Sequence, residues 1–136
     1  MLQLAKELDC EKSIVLGYRD ELFLNEEFEP YGSVYLSSED GMHGTKGNVI
    51  DAIKACAVTG DIIYACGPTP MLRGIKQYAA EQNIRCEISL EEKMACGVGA
   101  CLACVCQTKN VDEHSKVHNA RICADGPVFY AEDVEL

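Results

Sequence analysis

Apolar residues at positions 1, 2, 4, 5 and 8 recur at helical spacing and predict an amphipathic helix over residues 1–9. Residues 13–19 (SIVLGYR) form a β-branched and apolar run that predicts a strand. Residues 20–28 (DELFLNEEF) predict one short helix, and residues 32–38 (GSVYLSS) a second strand. Residues 37–47 predict a loop that includes Gly41, Gly44 and Gly47. Residues 47–60 then predict a helix capped by Asn48 and stopped at Gly60. A third strand follows over 61–67. Residues 68–83 predict a helix with prolines at its entry, where a missing N–H costs least. A fourth strand is predicted over 84–90.

The order α-β-α-β-α-β-α-β predicts an α/β fold, a parallel sheet with helices on its faces. The strand-like runs are apolar throughout, which predicts strands buried on both sides. The fold class expected is an incomplete doubly wound parallel sheet over residues 1–90. A doubly wound sheet normally opens on a strand whose following turn carries the phosphate-binding glycines. This chain opens on a helix, so that strand and turn are expected to be missing. From about residue 91 the pattern changes. Residues 94–110 (MACGVGACLACVCQTKN) lack a helical period, and residues 120–136 predict short strands around an Asp-Gly-Pro turn. Residues 91–136 are therefore expected to form a second, small β-rich domain.

Composition narrows the function classes. A hydrophobic content of 48% with 25% charged residues predicts a packed core. A net charge of −10, with no local cluster of Lys and Arg, argues against nucleic acid as a partner. No apolar run is long enough to cross a bilayer, and the first residues are too charged for a secretory signal, so a cytoplasmic location is expected. Nine cysteines in such a chain point to metal binding or redox chemistry in preference to a disulfide framework.

Five of the nine lie between Cys96 and Cys123. Cys96, Cys101 and Cys104 are spaced C-x4-C-x2-C, and 18 residues then lead to Cys123. This is the plant-type [2Fe–2S] spacing, with three thiolates from one loop and the fourth from a distant segment. Soft anionic sulfur suits iron bridged by inorganic sulfide. Gly97, Gly99, Ala100 and Ala103 let the backbone wrap closely and turn amides toward the sulfurs. Zinc would favour two paired knuckles, and only one pair at x2 spacing is present. Packed, unliganded thiols are the other alternative. Cys106 is expected to be a buried free cysteine.

Two segments suggest a nucleotide. In YACGPTPML, residues 64–72, a strand ends at Cys66 and a helix follows Gly67 and Pro68. Ligands of open α/β sheets bind at such strand ends, and helix N-termini attract phosphate. The alternative is a tight strand-to-helix connection. In GYRDELFL, residues 17–24, Arg19 follows Gly17 and is placed to meet a phosphate or ribose edge. Its alternative is a surface salt bridge to Asp20 or Glu21. The acidic SSEDG, residues 37–41, disfavours a 2′-phosphate and suggests NADH over NADPH, unless it is an ordinary acidic loop. His43, His114 and His118 are scattered, and Glu91 and Glu92 are expected to cap a strand end. The lack of an evident acid or base fits electron transfer.

CGPTPML and GYRDELF resemble the NAD-binding domain of the ferredoxin reductase superfamily. EEKMACGVGACLACVC followed by RICADGPVF resembles one branch of it, the electron-transfer subunit of type B dihydroorotate dehydrogenase. The resemblance runs over essentially the whole chain. It implies a subunit that carries FAD and a [2Fe–2S] cluster and relays electrons between NAD and the FMN of a catalytic subunit, which oxidises dihydroorotate to orotate in pyrimidine synthesis. Carried over, it implies that Cys96, Cys101, Cys104 and Cys123 hold the cluster. Cys66, Gly67 and Pro68 would face the nicotinamide, and Gly17 and Arg19 would lie near the adenosine. The family begins with a flavin-binding barrel absent from this sequence, so an N-terminally truncated member is expected, one that does not oxidise NADH through bound FAD by itself. Apolar faces left by a missing strand are expected to favour a homodimer. Alternatives are the small subunit of another NAD(P)H-dependent ferredoxin oxidoreductase or sulfhydrogenase, and a non-catalytic metal-binding assembly module.

Overall fold

The computed structural model describes residues 1–111 and 116–136, and they fall into two compact units, residues 1–60 and 61–136. His114 lies outside the described residues.

The first unit contains helix α1 (Leu2–Glu7), strand β1 (Ser13–Tyr18), helix α2 (Asn25–Phe28) and a 3-10 turn (Glu29–Tyr31). Strands β2 (Ser33–Ser38) and β3 (Thr45–Lys46) and helix α3 (Val49–Ala55) complete it. β1 and β2 run parallel, with Ser13 beside Ser33 and Tyr18 beside Ser38. β3 adds a short parallel edge, a strand inside the segment predicted as loop. Gly44 permits it: its φ is +71°, and a Cβ there would come 2.1 Å from the Leu36 carbonyl oxygen. The unit buries Ala5, Tyr18, Phe28, Val49, Ala52 and Ile53.

Two local expectations need correction. The helix predicted over residues 20–28 forms only from Asn25, because Leu24 takes a left-handed φ of 59°. Tyr18 fixes the segment before it, donating to the Phe23 carbonyl at 2.6 Å and meeting its ring edge-on at 5.2 Å. The helix predicted to stop at Gly60 ends at Ala55. Ala57, at φ 50°, closes it with the Ala57 N–H donating to Lys54 and the Val58 N–H to Ile53, so alanine fills the left-handed cap position usually taken by glycine. The N-cap is as predicted: Asn48 accepts from the Ile50 and Asp51 amides, and Asp51 reaches back to the Asn48 N–H.

The second unit contains β4 (Ile62–Cys66), α4 (Thr69–Gln82), β5 (Arg85–Ser89), β6 (Val105–Thr108), β7 (Asn119–Arg121), β8 (Val128–Tyr130) and β9 (Val134–Glu135). β4 and β5 are parallel, and β8 joins β5 antiparallel. β6 lies between β7 and β9 in a separate antiparallel sheet. α4 buries Leu72, Ile75 and Ala79 on one face. Its Arg73 donates to the Leu136 carbonyl at 3.0 Å and its Lys76 to the Val134 carbonyl, which ties the end of the chain to the helix. Two-sided burial of the strands is met only in part: Ile88 is fully buried, whereas β1 and β4 are mostly half-buried and Ile62 is exposed. No helix of the described residues is long and apolar enough to cross a membrane.

Cys86 sits buried in β5. Burial, with Glu87 adding to it, pushes its thiol from the ordinary 9.0 up to about 11. The fold thus favours the neutral thiol, so this contribution is complete below pH 9.0 and is lost as pH rises through about 11. Cys86→Ala should make stability fall less steeply than in the wild type over that window. Urea unfolding at several pH values checks it, and parallel slopes would refute it.

Candidate metal centre

The segment after β5 carries three cysteines in a loop that leads into β6. Its backbone turns left-handed at Gly97 (φ 68°), Gly99 (φ 80°) and Leu102 (φ 57°). Alternating backbone handedness directs successive N–H groups toward one concavity, which suits an anion. The space that a Cβ on Gly97 would take is open, with nothing within 4 Å. A Cβ on Gly99 would come 2.9 Å from the Ala124 Cβ, so the loop lies directly against the turn that carries Cys123.

Neighbouring thiols act on one another: that of Cys101 helps to lower the Cys96 thiol, and those of Cys104 and Cys96 raise the Cys123 thiol. The Val98 N–H approaches the Cys96 sulfur at 3.5 Å, and the Cys123 N–H donates to the Cys104 sulfur at 3.4 Å. Amides of Val98, Cys101 and Ala100, with the Cys101 thiol, pull the Cys96 thiol down to about 6. The Cys123 thiol is raised, first by its bond to Cys104 and then by burial. Among the described residues, no group of three or more His, Cys, Asp or Glu side chains is gathered as a single ion would need. Cys96, Cys101, Cys104 and Cys123 could supply the four thiolates of a two-iron cluster, which would provide one-electron transfer there. Cys104 is buried and Cys101 exposed, so the cradle has an inner and an outer edge. Beside the outer edge, Val98 and Leu102 are 78% and 58% exposed.

Cys123 is held by the β6–β7 pairing. The Ile122 N–H donates to the Cys104 carbonyl at 2.9 Å, so Cys104 and Cys123 are set by one antiparallel ladder. Cys106 points elsewhere: its thiol faces the Ala120 carbonyl at 3.6 Å, and burial raises it above the ordinary thiol value. Sequence reasoning missed Arg121 and Asp125. The Arg121 guanidinium donates to both carboxylate oxygens of Asp125 at 2.9 Å and to the Gly99 carbonyl at 3.2 Å. The signal was present as an Arg and an Asp four residues apart around the fourth cysteine.

The nucleotide candidates divide between the units. In the first, Gly17 packs under α3, where a Cβ would meet Val49 Cγ1 at 2.7 Å. Arg19 is exposed, and among the described residues it forms no salt bridge to Asp20 or Glu21; Asp20 accepts from the Glu21 amide instead. In the second unit, Cys66 ends β4 and Pro68 is the N-cap of α4. The Cys66 thiol lies 3.9 Å from the Glu91 carboxylate, so Glu91 faces the end of β4. A Cβ on Gly67 would meet Met71 Cε at 2.5 Å, the far end of a flexible side chain, so the turn itself does not require glycine.

Residues 91–135 match the iron-sulfur cluster binding domain of dihydroorotate dehydrogenase B. Among curated proteins, the chain is 44% identical to "Dihydroorotate dehydrogenase B (NAD(+)), electron transfer subunit" of Caldanaerobacter subterraneus, covering 98% of this chain and 53% of that protein. The subunit of the same description from a Geobacillus species is 42% identical, over 100% of this chain and 52% of its own length. That from Fusobacterium nucleatum is 43% identical, over 90% and 47%. The chain therefore spans about half the length of the curated relatives it matches. In structure it superposes with a TM-score of 0.82 on a chain of the NADH-dependent reduced ferredoxin-NADP oxidoreductase, solved for insight into flavin-based electron bifurcation. That chain is 28% identical, and the match covers 98% of this chain and 48% of that one.

Proposed function

Because the chain belongs to the family of dihydroorotate dehydrogenase B electron transfer subunits, we infer that it carries the iron–sulfur relay of such a subunit and part of its nucleotide-binding fold. The observation that carries this reading is that the segment matching the cluster domain folds the loop of Cys96, Cys101 and Cys104 directly against the turn that carries Cys123. These four thiolates would hold a [2Fe–2S] cluster, which supplies one-electron transfer when bound. The chain's own residues do the rest. Amides at 98, 100 and 101 stabilise the Cys96 thiolate, and the β6–β7 ladder fixes the fourth ligand. Exposed Val98 and Leu102 offer an apolar rim for a catalytic subunit. The partner proposed is an FMN-containing dihydroorotate dehydrogenase subunit, and the pathway pyrimidine biosynthesis.

The domain boundary proposed is residue 91, supported by the start of the family match. Residues 1–90 would be the partial NAD-binding part, built on a doubly wound plan. Cys66, Gly67 and Pro68 would face the nicotinamide of NADH, and Gly17 and Arg19 would lie toward the adenosine. FAD would be the electron partner on that side. A homodimer of this chain and a cytoplasmic location belong to the same reading. A second reading is favoured by the solved structure: the small subunit of an NADH-dependent ferredoxin oxidoreductase. The higher identity to the dihydroorotate dehydrogenase subunits supports the first.

Anaerobic reconstitution tests the core of the proposal. The full chain should bind about two irons and about two sulfides and turn brown. A colourless protein holding one zinc would overturn it. Calorimetry with NADH and co-purification with a dihydroorotate-oxidising flavoprotein then separate the electron relay from a metal-binding assembly module and from the second reading.

A further inference from the structure

We infer that Arg121 is a positioning residue of the four-cysteine centre, and that the Arg121–Asp125 pair sets the reduction potential of the cluster held there. The inference rests on the reading of Cys96, Cys101, Cys104 and Cys123 as the cluster's ligands.

Arg121 is the last residue of β7 and stands two positions before Cys123. Its own N–H donates to Asp125 at 2.8 Å, and its carbonyl accepts from the Ala124 and Asp125 amides at 3.1 and 2.7 Å. The turn that carries Cys123 is therefore closed on Arg121 at both the backbone and the side chain. The guanidinium binds Asp125 through two parallel bonds of 2.9 Å, which fixes the plane of the fork. Its Nη1 also reaches the other cysteine segment, at the Gly99 carbonyl, 3.2 Å away.

That carbonyl belongs to the peptide whose N–H is Ala100, one of the amides that stabilise the Cys96 thiolate. In a trans peptide the C=O and N–H point in opposite directions. A cation at the oxygen end polarises the group and strengthens the N–H at the sulfur end. Arg121 thus acts on both cysteine segments, on Cys123 by closing its turn and on Cys96 through the Gly99–Ala100 peptide. The Arg121 side chain is about three-quarters buried and that of Asp125 about two-thirds, so both charges are screened less than fully exposed ones. Reduction adds one negative charge to the cluster. A nearby cation and stronger N–H···S bonds favour the reduced form, and a nearby carboxylate disfavours it.

Charge and position separate under three substitutions in the full chain, reconstituted anaerobically. Arg121→Gln removes the cation, leaves Asp125 and weakens the Ala100 donor, so the midpoint potential should fall. Asp125→Asn keeps the guanidinium and removes the anion, so the midpoint should rise. Arg121→Lys keeps the charge without the planar fork and should fall between the wild type and Arg121→Gln. Spectroelectrochemical titration reads the potentials, and electron paramagnetic resonance of the reduced protein should show g-values that move with them. Unchanged potentials, or shifts of the same sign in Arg121→Gln and Asp125→Asn, overturn the inference and indicate a purely structural pair. Where Arg121→Gln fails to load, Asp125→Asn decides alone: a potential that does not rise overturns it. A wild-type chain that takes up no cluster removes the ligand assignment as well, whereas a loaded wild type with the wrong shifts removes only the role of Arg121.

Discussion

Replacing Cys101 by serine is expected to abolish the visible absorption of the reconstituted chain and to cut its iron and sulfide to background. Cys106→Ser, five residues on, should leave both unchanged. The two cysteines lie in one short cysteine-rich run, each preceded by a small or apolar residue. They differ in what their sulfurs face. Cys101 lies near Cys96 in the left-handed loop, where backbone amides gather. Cys106 lies in β6 with its thiol on the Ala120 carbonyl across the ladder. A sulfur already turned to a strand carbonyl is poorly placed to serve with the loop. Serine in place of Cys101 leaves one iron with a hard oxygen where a soft sulfur is needed. Iron and sulfide assays with absorption spectra decide between them. Loss of the cluster in Cys106→Ser with retention in Cys101→Ser would reverse the assignment. Loss in both would place five cysteines in the site's working set.

Spacing in the sequence was informative locally. The C-x4-C-x2-C run singled out the loop, and the gap to Cys123 pointed to the turn that the structure packs against it. The capping box at Asn48 and the entry of α4 were legible for a similar reason: each depends on neighbours a few residues apart. The false helix over residues 20–24 arose because DELFL has helical composition, while Tyr18 holds the Phe23 carbonyl through a bond that composition does not reveal. The end of α3 was misplaced because Ala57 adopts a left-handed φ that alanine rarely takes. Arg121 escaped because its role depends on β6–β7 register: Val105 opposite Arg121 brings the guanidinium to Gly99, 22 residues away in sequence. Long-range register of this kind leaves little trace in a single chain.

The same ladder supports a second large effect. Ile122 is 1% exposed, and it lies between Arg121 and Cys123, the proposed fourth ligand. Ile122→Ala removes three buried carbons and should lower stability by about 2–5 kcal/mol, the usual range for such a cavity. The substitution leaves the backbone alone, so the Ile122 N–H still donates to the Cys104 carbonyl and the cluster should load at low temperature. What changes is the rigidity of the segment that presents Cys123. On urea titration, loss of the visible chromophore and loss of secondary structure should move to lower urea together, since one buried side chain supports the ligand and the sheet. The outcome that would refute this is a fall in the unfolding midpoint with the bleaching midpoint unmoved. Cys123 would then be anchored by the Arg121–Asp125 turn alone, and Ile122 would be an ordinary core residue that happens to adjoin a ligand.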